Sequence, residues 1–214
     1  MGKGIIKILK TIINELLYII YPPDNKCIVC GEEYIGVCPL CLSKIQRVKE
    51  NSEIYSYAYY SGVIKEIILK FKYKKVFLAG NILADFLYEL IQENKIEADG
   101  ILYVPCSKET LRRRGFNQCE IMARILGEKL DIPVYNDLIK IKNTKEQKIL
   151  SREERFINIK NAFKLKNTNN VKDKRIILID DVITTGATLL ECEKILKENG
   201  VKEIKILTVA KSYI

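Results

Sequence analysis

The sequence predicts an α/β fold, a parallel sheet flanked by helices, with a small cysteine module ahead of it. Three observations carry that prediction. Short apolar runs at 101–104, 175–179 and 203–210 alternate with helix-length amphipathic stretches, the pattern of βαβ units. Cys27, Cys30, Cys38 and Cys41 form two Cys-x-x-Cys pairs near the N-terminus. At 214 residues the chain has room for one substantial domain and a small appendage.

Taken in order, residues 4–21 read as an amphipathic helix, with Ile5, Ile8, Leu9, Ile12, Ile13, Leu16 and Ile20 on one stripe. Lys7, Lys10, Asn14 and Glu15 interrupt it, so no integral membrane span is expected, and no small-residue cleavage site follows. Packing on its own domain or a partner competes with adsorption to a membrane surface. Pro22 and Pro23 end the helix. The expected divisions are an N-terminal helix over 1–25, a metal-binding module over 26–45 and the α/β domain over 46–214.

Within that domain Tyr55 to Tyr60 alternate as a strand, and helices are expected over 62–72 and 76–93. Asp99-Gly100 and Pro105 bracket a buried strand at 101–104. A connection over 105–115 leads to a helix at 117–130 and an extended piece at 133–139, and 140–163 is charged and irregular. The strand at 175–179 is followed by a turn at 180–187 and a helix from Thr188 to Asn199. Gly200 stops that helix, and a last strand runs from Glu203 to Ala210.

Lys and Arg number 36 against 27 Asp and Glu, a formal charge of +9, which favours polyanionic partners unless it is only a lysine-rich solvated surface. There is no histidine, so metal ligation and proton transfer must use other groups. An odd total of seven cysteines with four clustered argues for metal ligation in a reducing, cytoplasmic setting over a secreted disulfide framework. Two thiolate pairs on tight turns close a tetrahedral shell around structural Zn²⁺, with an iron–sulfur cluster or a redox dithiol as the alternatives. Cys106, Cys119 and Cys192 are scattered and read as small apolar residues.

The most informative stretch runs from Arg175 to Thr188. An apolar strand delivers Asp180 and Asp181 to the carboxyl edge of a parallel sheet, where ligands bind in open α/β folds. Thr184, Thr185, Gly186, Ala187 and Thr188 then lead into a helix N-terminus, so backbone N–H groups and hydroxyls converge as an anion cradle. Upstream, Ser107 and the guanidinium groups of Arg112, Arg113 and Arg114 occupy the preceding strand-to-helix connection.

The Arg175–Thr188 run resembles the PRPP-binding signature of type I phosphoribosyltransferases. Together with the cysteine pairs, Leu69 to Tyr73, Arg112 to Gln118, Gln147 to Leu150 and Arg155 to Phe163, it resembles the ComF (ComFC/GntX) family of competence proteins nearly end to end. That family usually reads V-P-V-P where this chain has Val104-Pro105-Cys106-Ser107. The resemblance implies that Asp180 and Asp181 hold the ribose hydroxyls of PRPP, that Thr184 to Thr188 wrap its 5′-phosphate, and that Ser107 with Arg112 to Arg114 grips its pyrophosphate. It also implies Mg²⁺ with PRPP and a role in DNA uptake beside a helicase-like partner; single-stranded DNA is a further candidate ligand for the basic surface, through Tyr55, Tyr57, Tyr59, Tyr60 and Tyr73 near Lys70 to Lys75, unless those tyrosines pack in the core. It names no acceptor. Phosphoribosyl transfer and non-enzymatic PRPP sensing both remain open.

Overall fold

A computed structural model describes residues 25–49, 54–142 and 151–213. The expected N-terminal helix at 4–21 and the block from Gln147 to Leu150 lie outside the described residues. The chain divides into two compact units, Met1–Ser43 and Lys44–Ile214.

The described part of the first unit is two tight turns. Bridges pair Lys26 with Glu33 and Cys27 with Gly36, and the second turn closes into a one-turn helix α1 (Pro39–Leu42). Gly31 adopts φ +82°, and its N–H donates to the Cys27 carbonyl at 3.0 Å. A side chain there would be strained, which is why the first pair is followed by glycine.

The second unit is built on a five-stranded parallel sheet. Its strands are β1 (Ile54–Tyr59), β2 (Gly100–Tyr103), β3 (Val134–Tyr135), β6 (Arg175–Ile183) and β7 (Glu203–Lys211) in the order β1-β7-β6-β2-β3. A separate antiparallel ribbon joins β4 (Leu138–Lys140) to β5 (Phe163–Leu165). Helices α2 (Gly62–Lys74), α3 (Phe77–Glu93), α4 (Lys108–Arg114), α5 (Gln118–Leu130), α6 (Arg152–Ile159) and α7 (Ala187–Glu198) complete it. None of the described helices is long and apolar enough to cross a membrane.

The central strand β6 is covered on both faces and so reads as a continuous apolar run. Ile176 and Leu178 pack with Leu189, Cys192 and Leu196 of α7. Ile177 and Ile179 are equally buried, and α5 packs against this strand as well as against β2. Along the outer edge of β1, the Val48 N–H donates to the Tyr57 carbonyl at 3.1 Å and the Tyr59 N–H to the Gln46 carbonyl at 2.9 Å. Arg47 lies over the Tyr57 ring at 3.9 Å and pairs with Glu89 and Glu93 of α3.

Three expectations need correction. The 105–115 connection is not an open loop, because α4 occupies most of it: Ser107 caps the helix through the Thr110 N–H at 3.1 Å, and Gly115, at φ +89°, closes it on the Leu111 carbonyl. That capping pair is what a period search misses, since the only apolar residue between is the exposed Leu111. The irregular 140–163 segment contains α6, started by a capping box of Ser151 and Glu154. Finally, β6 does not stop at Ile179, because β7 continues the ladder through Val182↔Ala210 and Ile183↔Lys211. Asp180 and Asp181 are therefore strand residues.

Candidate functional site

Where β2 and β6 end side by side, their carboxyl edge opens into a cleft of about 470 Å³. That volume suits a small phosphorylated ligand. Asp180 and Asp181 border it from β6, Ser107, Arg113 and Arg114 from α4, and Thr184 and Thr188 from the approach to α7. Arg112 does not border it, because neighbouring residues on a helix point in different directions. Thr185, Gly186 and Ala187 line a small adjoining hollow that shares Asp180, Thr184 and Thr188 with the main cleft.

The approach to α7 is shaped for an anion. Gly186 is the N-cap in the left-handed conformation, φ +78°, and has no side chain with which to cap the helix. The first amides of α7 thus face the hollow with the helix dipole behind them. Thr185 Oγ1 reaches the Ala187 N–H at 3.5 Å, and Arg155 of α6 donates to Thr184 Oγ1 at 3.2 Å.

The two acids differ in their partners. Asp181 is buried and forms an ion pair with Lys72 of α2, while Gln118 Nε2 donates to its Oδ2 at 2.9 Å. Burial alone would lower the Lys72 pKa, but the Asp181 carboxylate outweighs it and the ammonium is held above its ordinary value. Asp180 Oδ1 accepts the Asp181 N–H at 2.8 Å and faces the Cys119 thiol at 3.5 Å. Burial, then the neighbouring Asp181 charge, pushes the Asp180 carboxyl up to about 7. Burial and the same acids push the Cys119 thiol well above its usual range. One ligand atom from each of Cys119, Asp180 and Asp181 lies within 4.8 Å of the others.

Lys70, Lys72, Arg152 and Arg155 are read from the sequence as phosphate-facing candidates. Lys72 and Arg155 border the cleft, and Lys72, following the fully buried Ile64 and Ile68 at helical spacing, pairs with Asp181, which the sequence does not show. Lys140 of β4 and Phe163 of β5 also border the cleft, and burial lowers the Lys140 pKa. No local pattern announces those two, since the antiparallel ribbon brings them there. Cys106 borders the cleft half-buried, unlike Cys119 and Cys192, which are core residues. Of the tyrosines, Tyr57 stacks on Phe86 with ring centroids 4.4 Å apart, Tyr60 borders the cleft, and the exposed Tyr73 carries the Arg114 guanidinium 5.5 Å above its ring.

In the first unit the ligand atoms of Cys27, Cys30, Cys38 and Cys41 all lie within 4.8 Å of one another. The Cys30 and Cys38 sulfurs are 3.6 Å apart. Tetrahedral Zn²⁺ with Zn–S of about 2.3 Å needs a sulfur–sulfur separation of roughly 3.8 Å, so the donor set fits. The Cys27 sulfur accepts the Cys38 and Val29 N–H groups at 3.3 and 3.5 Å. Burial opposes the Cys27 thiolate, but these backbone donors prevail and its pKa falls to about 6.

Comparison with known proteins bears on the family of the chain. The phosphoribosyl transferase domain family model matches residues 110–212, the span that includes α5, β6, the threonine–glycine turn and most of α4. Competence protein F of Haemophilus influenzae is 32% identical over 193 residues, which cover 87% of this chain and 84% of the relative. Competence protein ComFC of Bacillus subtilis is 28% identical over 208 residues, 86% of this chain and 82% of the relative. Among solved structures, adenine phosphoribosyltransferase from Leishmania donovani aligns over 76% of this chain and 86% of its own, at 16% identity and a TM-score of 0.45. With a phosphoribosyltransferase-type fold and identity to competence protein F along most of both chains, the protein belongs to the ComF family.

Proposed function

We propose that the cleft binds PRPP together with Mg²⁺, and that the protein serves natural competence, the role named in its relatives. The observation that carries the reading is one shared cleft. A carboxylate pair, Thr184 and Thr188 at the approach to α7, and the guanidinium groups of Arg113 and Arg114 all border it, and the start of α7 lines the hollow that adjoins it. Acidic acceptors suit sugar hydroxyls, the amides and hydroxyls of Thr184 to Thr188 suit a phosphate monoester, and planar guanidinium forks suit pyrophosphate.

Mg²⁺ is a hard cation with oxygen ligands, and the carboxylates of Asp180 and Asp181 suit it beside the ligand's own phosphates. When bound, it would supply positive charge to the pyrophosphate. If transfer occurs, the anomeric C–O bond breaks, pyrophosphate leaves with the electron pair, and an acceptor's lone pair forms the new bond to that carbon. The chain's own contribution is then positioning and charge: Arg113 and Arg114 hold the leaving group while the acid pair orients the ribose. In the four-cysteine unit we assign structural Zn²⁺, since four thiolates leave no open coordination position.

Titration of the full chain with PRPP and Mg²⁺ by calorimetry tests the site. Binding is expected in the wild type and at least a hundredfold loss, about 3 kcal/mol, when Asp180→Asn and Asp181→Asn are combined. Undiminished affinity in that double variant would remove the assignment. A second reading, in which PRPP is a regulatory ligand, is favoured by the Lys72 ion pair that already engages one of the two acids. Pyrophosphate release in the presence of nucleobases or single-stranded DNA supports transfer; binding without release supports sensing.

A further inference from the structure

We infer that Gln118 is a positioning residue that couples the pyrophosphate end of the cleft to its ribose end, an inference that rests on the sugar-phosphate reading above. Three contacts carry it. Arg114 Nη1 donates to Gln118 Oε1, Gln118 Nε2 donates to Asp181 Oδ2 at 2.9 Å, and Lys72 pairs with the same carboxylate oxygen. The amide has only one workable orientation, because a guanidinium offers no acceptor and an ionised carboxylate offers no donor. Oε1 must face Arg114 and Nε2 must face Asp181.

The bridge is built into the fold. Gln118 is 8% exposed and Asp181 6%. The residue before it, Asn117, caps α5 through the Cys119 N–H at 3.0 Å and donates to the Val104 carbonyl, just beyond β2, at 3.1 Å. The amide therefore spans from α4 to β6 with its own backbone fastened between them.

Arg114 borders the cleft and has five N–H donors, so one bond to Gln118 leaves others for an anion's oxygens. An anion that fixes Arg114 also fixes the acceptor end of Gln118, and through it the bond that orients Asp181. The ordering cost met by the first ligand is not met again by the second, which makes binding at the two ends mutually reinforcing. A residue with a merely structural role would change stability and both affinities without creating such reinforcement.

The test is calorimetry on the full chain with inorganic pyrophosphate and ribose 5-phosphate, each alone and each with the other saturating. In the wild type each ligand is expected to tighten the other by about fivefold or more. Gln118→Glu keeps the acceptor for Arg114 but cannot donate to Asp181, so the enhancement should vanish while pyrophosphate alone still binds. Arg114→Lys keeps a cation near pyrophosphate on a short surface helix, but it lacks the planar fork whose separate nitrogens reach Gln118 and the anion together, and it should lose the enhancement without disturbing the core. Enhancement that survives in both variants overturns the bridge, as does a wild type that binds the two ligands independently. A wild type that binds neither ligand overturns the sugar-phosphate reading itself, and the bridge with it.

Discussion

Asp180 concentrates the energetic tension of the site. Burial and the adjacent Asp181 charge hold its carboxyl up to about 7, whereas an unfolded chain ionises it near the ordinary carboxylate value. The folded state then carries more protons than the unfolded one between those limits. Stability is highest below the unfolded value and declines as pH rises from about 4 to about 7, after which the loss is complete. Asp180→Asn removes the penalty, so urea unfolding should find the variant more stable by on the order of 1–3 kcal/mol at pH 8, with the difference closing towards pH 4. A pH-independent difference would show that ionisation is not its cause. The acid pair itself was legible, since an apolar strand ending in two aspartates before a Thr/Gly turn has few other uses. Its partners were not. Lys72 and Gln118 stand far from Asp181 in sequence, and only the packing of α2 and α5 against the end of β6 brings them to it.

Individual elements were readable to the extent that they carry hydrophobic period. The helices α2, α3 and α5 and the buried strands follow from their stripes and runs; β2 is bracketed by Gly100 and Pro105, whereas α2, α3 and α5 end on Lys75, Asn94 and Asp131. α4 and α6 escaped because they are short and polar, and their starts are set by serine caps rather than by an apolar face. The element on which the site depends most is the start of α7. Gly186 holds φ +78°, and a methyl group there would meet only Ile183 Cδ1 at 3.6 Å, an ordinary contact. The cost of Gly186→Ala is therefore backbone strain alone, about 1–2 kcal/mol, readable as a lowered midpoint in chemical denaturation. Ribose 5-phosphate affinity should fall in the same variant, because relief of that strain redirects the amides of Ala187 and Thr188. Full affinity would mean that the phosphate sits elsewhere.

For the molecule as a whole, the chain divides into two units, and the residues that border the cleft all belong to the larger one. The larger unit has its own core around β6, whereas the described part of the smaller one buries mainly Val37 and the cysteines Cys27, Cys38 and Cys41, too little apolar surface to order it without help. Replacing all four clustered cysteines by serine, or removing zinc with a chelator, should raise hydrogen exchange across 25–43 while PRPP affinity stays within about twofold of the wild type. A parallel fall in PRPP affinity would tie the two units together energetically. The βαβ architecture and the four-cysteine cluster were both visible as sequence patterns; the register that seats β4 and β5 beside the cleft was not, because antiparallel pairing across twenty-odd residues leaves no local mark. The outer edge of β1 governs how other proteins can approach this one. Gln46 to Val48 lie along β1 from Tyr57 to Tyr59 and use the main-chain groups that an incoming strand would need. Arg47, clamped between an aromatic ring and two glutamates, anchors that cover. Recognition by strand addition is thus closed along this stretch, and self-templated stacking of sheets is discouraged there by the same three residues.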